Sequence, residues 1–451
     1  MLRRGEVGGL GSVRCRVALV AALVLVAAGC DWTSYGYGGG NTHYNPTERA
    51  IGVENVAGLQ VAWTSGASDQ PFHSSPAVAK GVVYVGSGQL YAYSANGSSG
   101  CSGTPKTCAP LWYADPTGGL GGTIRSSPAV ANGIVYVGFD DLYAYDAAGS
   151  TGCSGSPRLC EPLWTASAGA AGNFTSSPKV VNGVLYAGAD DGKLYAFDAA
   201  GSTGCSGTPV KTCAPLWTAA TGGQGGATAA VVKGVVYVGA DDGKLYAFDA
   251  NGSTGCSGTP KTCAPLWTAA TGGPIAGSPA VANGVAYVGA DDGKLYAFDA
   301  TGTTGCSGNP TTCVPLWTAD VGIFTVTSPA VANGVVYIGS DAIYGGPSLQ
   351  AFDANGSTGC SGTPKTCTPL WGSADLGEFR VSSPAVANGV VFIGGEATKF
   401  YAFRADGVGC SGCSGLWSFT TPHGSIESSP AVANGFVYVG SGNGTFYAFH
   451  L

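Results

Sequence analysis

One motif, repeated eight times at near-constant spacing, leaves few folds open to this chain. A proline stands at Pro76, Pro128, Pro178, Pro279, Pro329, Pro384 and Pro430, with Ala229 at the equivalent place in the fourth copy, at intervals of 46–55 residues. A tryptophan recurs at Trp63, Trp112, Trp164, Trp217, Trp267, Trp317, Trp371 and Trp417. The fullest copy, Ser278 to Trp317, reads as three short strands, a loop bracketed by cysteines and the start of a fourth strand. Asn283-Gly284 accepts the positive φ angles of a tight hairpin turn, and Asp291-Asp292-Gly293 makes the next turn. A sheet of four short strands cannot bury both faces alone, whereas a ring of such sheets can. The expectation is an all-β, eight-bladed β-propeller of four-stranded antiparallel blades. Counted from the tryptophan strand, the first blade opens at Trp63 and the last closes at Leu451.

Composition narrows the function classes. Charged residues make up only 10% of the 451 and the net charge is −7. With no Lys/Arg cluster in the repeats, a nucleic-acid partner is disfavoured. Residues 1–29 read as a signal peptide: Arg3, Arg4, Arg14 and Arg16 precede the apolar run Val17–Ala28, which is too short to span a membrane comfortably. Ala27-Ala28-Gly29-Cys30 resembles a bacterial lipobox, with Ala27 where leucine is usual, so Cys30 is expected to be lipidated. Secretion by cleavage alone is the alternative, and either route places the protein outside the cytoplasm. Residues 30–60 form a non-repeat entry segment, expected to brace the ring where first and last blades meet, and 61–451 form the propeller.

Fourteen cysteines fall into seven close pairs: Cys101/Cys108, Cys153/Cys160, Cys205/Cys213, Cys256/Cys263, Cys306/Cys313, Cys360/Cys367 and Cys410/Cys413. All bracket the same loop, which points to local disulfides made in an oxidising compartment. Metal binding is the weaker reading, since none of the four histidines lies in these loops. Cys410-Ser-Gly-Cys413 has redox-motif spacing but aligns with the other staples after a loop deletion.

Trp32-x-x-Tyr35-Gly36, Asn41, Tyr44-Asn45-Pro46, Asn55-Val56, Leu59 and Trp63 resemble the opening of pyrroloquinoline quinone (PQQ)-dependent dehydrogenases. The Gly-Lys-Leu-Tyr-Ala-Phe-Asp-Ala run of Gly293–Ala300 resembles the repeat of that family. The resemblance implies blades docked through their tryptophans. It also covers non-enzymatic propellers such as the outer-membrane assembly lipoprotein. Departures from the enzymes are the absence of a Cys-Cys dipeptide and of a Cys-x-x-Cys-His haem site. Gly442-Asn443-Gly444, nearest to the family's calcium-ligand motif, stands where other copies carry a turn.

Among near-identical copies, function is sought where one copy differs. Three residues before the repeat proline stand His73, Arg125, Thr175, Gly226, Ala276, Val326, Val381 and Glu427. On a closed ring Glu427, His73, Arg125 and Thr175 form a polar arc, suited to an anionic or carboxylate-bearing ligand anchored by Arg125. Phe72, Phe174, Phe324, Arg380 and His423 flank the same strands. The expected function is a binding or assembly scaffold at the cell envelope, with a protein or small anionic partner and no cofactor or metal. The alternative is a PQQ- and calcium-dependent dehydrogenase acting on an alcohol or sugar.

Overall fold

The structure, a computed structural model, describes residues 30–451 apart from 67, 120, 171, 224–225, 323–326, 341–346, 375–381, 396–397 and 410–414. Eight sheets stand in a ring. In blade 1 the strands run Ala77–Ala79 (inner), Val82–Gly86, Leu90–Ser94 and Trp112–Ala114 (outer), each antiparallel to the last. The inner hairpin turns are the Asn-Gly and Lys-Gly pairs, with φ of 50° at Asn283 and 82° at Gly284, as a primed turn requires. Blades 2–7 repeat the order, their inner strands starting at Ala129, Lys179, Ala230, Ala280, Ala330 and Ala385.

Blade 8 corrects the expected phasing. Its first three strands, Ala431–Ala433, Phe436–Gly440 and Phe446–His450, come from the C-terminal end, and its outer strand is Gln60–Ser65. Trp63 pairs with Ala448 in register. The tryptophan strand is therefore the last strand of a blade, hydrogen-bonded to the Tyr-Ala-Phe strand before it. Joining the two ends of the chain in one sheet closes the ring.

Adjacent blades are clasped by a repeated pair of side chains. In blade 1, Trp112 Nε1 and Tyr84 Oη both donate to the carbonyl of Ala147, just past the third strand of blade 2, at 3.1 and 2.9 Å. The same carbonyl position takes Trp217 and Tyr186 at Ala250, and Trp371 and Tyr337 at Ala405. Trp63, Trp112, Trp164, Trp217 and Trp317 are essentially inaccessible; the indole N–H is paired in Trp63, Trp112, Trp217 and Trp317, while that of Trp164 has no partner among the described residues. The tryptophan thus does pack between blades.

Six of the seven expected disulfides are present: Cys101–Cys108, Cys153–Cys160, Cys205–Cys213, Cys256–Cys263, Cys306–Cys313 and Cys360–Cys367. Cys410/Cys413 lies outside the described residues. The segment each pair brackets is more than the loop expected from the sequence. It is a two-stranded hairpin that reaches back to the preceding blade. There its second arm lies parallel to the outer strand: Arg158 pairs with Trp112, Lys211 with Trp164 and Thr262 with Thr218. The two sulfurs of a bridge consequently differ in setting. Cys108, Cys160, Cys213, Cys263, Cys313 and Cys367, on the arm against the neighbouring sheet, are buried. Their partners Cys101, Cys153, Cys205, Cys256, Cys306 and Cys360, on the outer arm, are half-buried. The staples therefore extend the sheets and also link neighbours around the ring.

The entry segment does more than brace the seam. Residues 32–45 run around one end of the central channel and meet the inner strand of every blade. The amide N–H groups of Val78, Val130, Val231, Val281, Val331 and Val386 donate to the carbonyls of Trp32, Thr33, Gly39, Gly40, Thr42 and His43 at 2.6–2.8 Å. Blade 3 is held by the Lys179 side chain and blade 8 by Asn45 Nδ2, which donates to the Val432 carbonyl at 2.8 Å. Gly39 and Gly40 are dictated by this path, since a Cβ there would stand 2.6 and 2.5 Å from the Val231 and Val281 carbonyl oxygens. The strap closes that end of the channel.

Candidate functional site

The open end is a funnel of about 350 Å³, and the segment before each inner strand, Ser-Ser-Pro in five blades and Ala-Thr-Ala, Gly-Ser-Pro and Thr-Ser-Pro in blades 4, 5 and 6, builds its wall. The first serine caps its own blade: Ser74, Ser126, Ser176, Ser382 and Ser428 Oγ accept the N–H of the glycine at the end of the second strand. The second serine links blades. Ser127 Oγ accepts the Ser75 N–H at 2.9 Å, and the chain of links continues until Ser75 Oγ accepts the Ser429 N–H at 2.8 Å. Among the described residues, seven such links join the ring Ser75, Ser127, Ser177, Thr228, Ser278, Ser328, Ser383 and Ser429. An oxygen that already accepts a backbone N–H still has its hydroxyl proton to donate. Tyr35, delivered by the strap, sets its hydroxyl 2.8 Å from Ser328 Oγ and 3.0 Å from Ser383 Oγ and forms part of the floor.

His73, Arg125, Thr175 and Glu427 all line this funnel, just above the serine ring. The structure brings His73 and Glu427 into direct contact, Nδ1 to Oε2 at 3.0 Å, with Ser425 donating to the other carboxylate oxygen at 2.8 Å. Arg125 is exposed on the next blade, while Thr175 donates to Asp190 at 2.7 Å. Phe72 and Phe174 are core residues, packed on Phe446 and Tyr195; His423 is exposed. Val326, Val381, Phe324 and Arg380 lie outside the described residues. The Asp-Asp-Gly turns on this face act as turns: Asp191 and Asp242 bind Lys193 and Lys244. Burial, and then repulsion from neighbouring carboxylates, raises the carboxyls of Asp241 and Asp291 above their usual range. Among the described residues no three His, Cys, Asp or Glu side chains converge as metal ligands.

Sequence reasoning missed the polar group beneath the floor. Lys179 occupies an inner-strand position where the other seven copies carry alanine, and that one-in-eight difference was the available signal. It is 1% exposed, and its Nζ donates to Ser34 Oγ and to the Tyr35 and Gly38 carbonyls at 2.6–2.9 Å. Burial lowers its pKa to about 7. Beside it lies His43, its ring edge-on to Tyr35 at 4.8 Å, with neither ring nitrogen paired to protein among the described residues. Burial, then the Lys179 charge, lowers the pKa of His43 to about 3.

That imidazole sets a pH dependence. The unfolded chain takes up a proton at His43 near pH 6.5, whereas the native chain does not until about pH 3. The unfolded state then holds more protons, so stability falls as pH falls through this window, by up to about 1.4 kcal/mol per pH unit. Urea midpoints measured from pH 6 to 4.5, below the range where Lys179 takes up its proton and above the range where most carboxylates titrate, should fall more steeply in the natural protein than in His43→Phe. Equal slopes in the two proteins would remove His43 from the account.

Eight blades clasped through Trp and Tyr, with a Tyr-Ala-Phe third strand, define a PQQ-type β-propeller. The family model of the outer membrane protein assembly factor BamB matches residues 103–255 and 210–451, and the chain belongs to that family. No curated protein sequence matches it. Among solved structures, BamB from Moraxella catarrhalis superposes with a TM-score of 0.58 at 16% identity over 87% of this chain and 100% of that one. Quinohemoprotein alcohol dehydrogenase from Comamonas testosteroni gives 0.62 at 16%, over 93% and 80%. The computationally designed Ika8 protein gives 0.60 at 14%, over 87% and 100%. At such identities the likeness is one of fold.

Some propellers of this fold hold a quinone, PQQ. A flat tricarboxylate needs a ring face to lie on and several cations. The described lining offers one guanidinium, Arg125, a carboxylate, Glu427, and a tyrosine that presents its hydroxyl. Among the described residues the lining supplies neither the ring face nor the several cations that group needs.

Proposed function

We propose that the protein is an extracytoplasmic binding or assembly scaffold of the cell envelope, whose blind funnel receives a carboxylate-bearing group of its partner. Membership of the BamB family and six disulfides of the kind made in an oxidising compartment support the setting. The observation that carries the site is the division of charge at the mouth. Glu427 is engaged by His73, while Arg125 stands exposed beside them, above a ring of hydroxyls able to donate. A planar guanidinium takes a carboxylate in two parallel hydrogen bonds, and partial solvation keeps its desolvation cost low.

Anchoring at Cys30 belongs to the same proposal. Cys30 is buried and its sulfur is disulfide-bonded; a thioether to lipid requires that bond to be open. Metabolic labelling with a palmitate analogue, compared in the natural chain and Cys30→Ser, checks it. Label in both proteins, or in neither, removes the anchor.

The funnel is tested with short peptides, one set with a free C-terminal carboxylate and one amidated, titrated calorimetrically into the natural protein and Arg125→Ala. The expected result is at least tenfold weaker binding after either change, with a melting temperature within about 2 °C of the natural protein. Unchanged affinity in Arg125→Ala would overturn the assignment. Dye-linked oxidation of alcohols or sugars after addition of PQQ and calcium would overturn the scaffold reading as a whole.

A further inference from the structure

The outer edge of blade 7 is built like the others but has no strand beside it among the described residues. In five of the first six blades, and in blade 8, that edge is covered by the disulfide hairpin of the following blade; the Cys410–Cys413 segment, at the corresponding place in the sequence for blade 6, lies outside the described residues. The hairpin always springs from the loop between a third strand and the outer strand after it. In blade 8 the third strand, Phe446–His450, and the outer strand, Gln60–Ser65, are not consecutive in the chain, and among the described residues no hairpin follows that third strand. The end of the entry segment replaces only the clasp: the Leu59 carbonyl accepts Trp417 Nε1 at 3.0 Å, where other tryptophans use the next blade's alanine. The strand Trp417–Thr420 is left as the last of its sheet.

What an arriving strand would meet is given by the covered edges. Thr218, Thr268 and Thr318 donate their N–H to carbonyls of the neighbouring hairpin at 3.0 Å. Ser418 holds the same register against Tyr401 as Thr218 does against Tyr195, so its N–H points out of the sheet in the same direction. One residue on, the covered blades carry Ala219, Ala269 and Ala319, each opposite a buried hairpin cysteine: Cys263, Cys313 and Cys367. Blade 7 carries Phe419 there, half-buried, beside Trp417, which is more open than the other docking tryptophans. An unpaired edge flanked by two partly exposed aromatic rings is a template for strand addition.

We propose that blade 7 receives an extended segment of a partner protein, parallel to Trp417–Thr420, with one carbonyl on the Ser418 N–H and an apolar side chain against Phe419. The pairing direction, the accepted donor and the apolar neighbour are all set by the covered blades. This surface is separate from the funnel, so it stands or falls apart from Arg125.

The probe is the chain's own cover strand, a synthetic disulfide-closed peptide of residues 252–266, added at millimolar concentration to the full protein and followed by amide hydrogen exchange. In the free protein the Ser418 amide should exchange at least 100-fold faster than those of Thr218, Thr268 and Thr318. Peptide should slow Ser418 at least tenfold and leave the three threonines unchanged. Phe419→Ala, which keeps the backbone edge, should weaken that protection at least threefold. Protection of Ser418 in the free monomer would mean that residues 1–29 or another part of the chain already cover the edge. Protection that appears only as a dimer forms would mean that a second copy does. Either result overturns the proposal, as does peptide that leaves Ser418 exchange unchanged.

Discussion

Removal of residues 31–48 is expected to lower the melting temperature by roughly 10 °C or more and to open the channel from end to end. The strap accepts six backbone N–H groups from six inner strands and buries Trp32 at 2% exposure. At about 1 kcal/mol net per hydrogen bond and about 2 kcal/mol for the indole, the loss is on the order of 5–10 kcal/mol. The conversion to temperature follows the usual scaling for a large domain. Gly40→Ala probes the same contact without deletion, since its Cβ meets the Val281 carbonyl; its expected cost is about 1–3 kcal/mol. Thermal unfolding followed by tryptophan fluorescence reads both. A strap deletion that melts within 2 °C of the natural protein would show that the ring holds without it.

Reduction of the six hairpin disulfides is the second large expected effect. Each closes a loop with a sequence separation of 7 or 8 residues, for which the chain-entropy model gives about 2–3 kcal/mol. The bonds share one architecture, so their loss is cumulative. A hairpin that opens also uncovers the outer strand of its neighbour, and the edge amides of Thr218, Thr268 and Thr318 should then exchange faster. Melting curves with and without a phosphine reductant, with thiols counted after denaturation, measure the effect. If every thiol is free and the melting temperature is unmoved, the staples contribute nothing to the folded ring. Mass spectrometry of non-reduced digests tests the pairing itself, including Cys410/Cys413.

The fold was legible because it is written eight times. One copy of Ala-Val-Ala, Asn-Gly, Val-Val-Tyr-Val and Leu-Tyr-Ala-Phe is an ordinary run of short strands, ambiguous in partner and register. Eight copies near fifty residues apart allow only a closed or stacked array. The polar arc was legible for the same reason, since a difference such as Glu427 or Arg125 stands out against identical neighbours. The sequence did not reveal that Glu427 and His73 form a pair, because they are 354 positions apart and meet only when the ring closes. Nor did it reveal the reach of residues 32–45, which carry no period of their own.

The sequence by itself determined the local chemistry: where strands turn, which cysteines bridge, and which face of each strand is apolar. These depend on neighbours along the chain, on φ preferences at Asn283-Gly284, and on loops of a few residues. Tertiary structure alone decided which end of a blade Trp63 belongs to, how each hairpin crosses to the preceding sheet, and how the strap encircles the channel. It also decided that Cys160, Cys213, Cys263 and Cys313 are buried against a neighbouring sheet, that Lys179 and His43 are buried together, and that among the described residues no strand pairs with the edge at Ser418. Each of these is a contact between distant segments, and its energy depends on what the closed ring excludes from water rather than on the residues adjoining it in the chain.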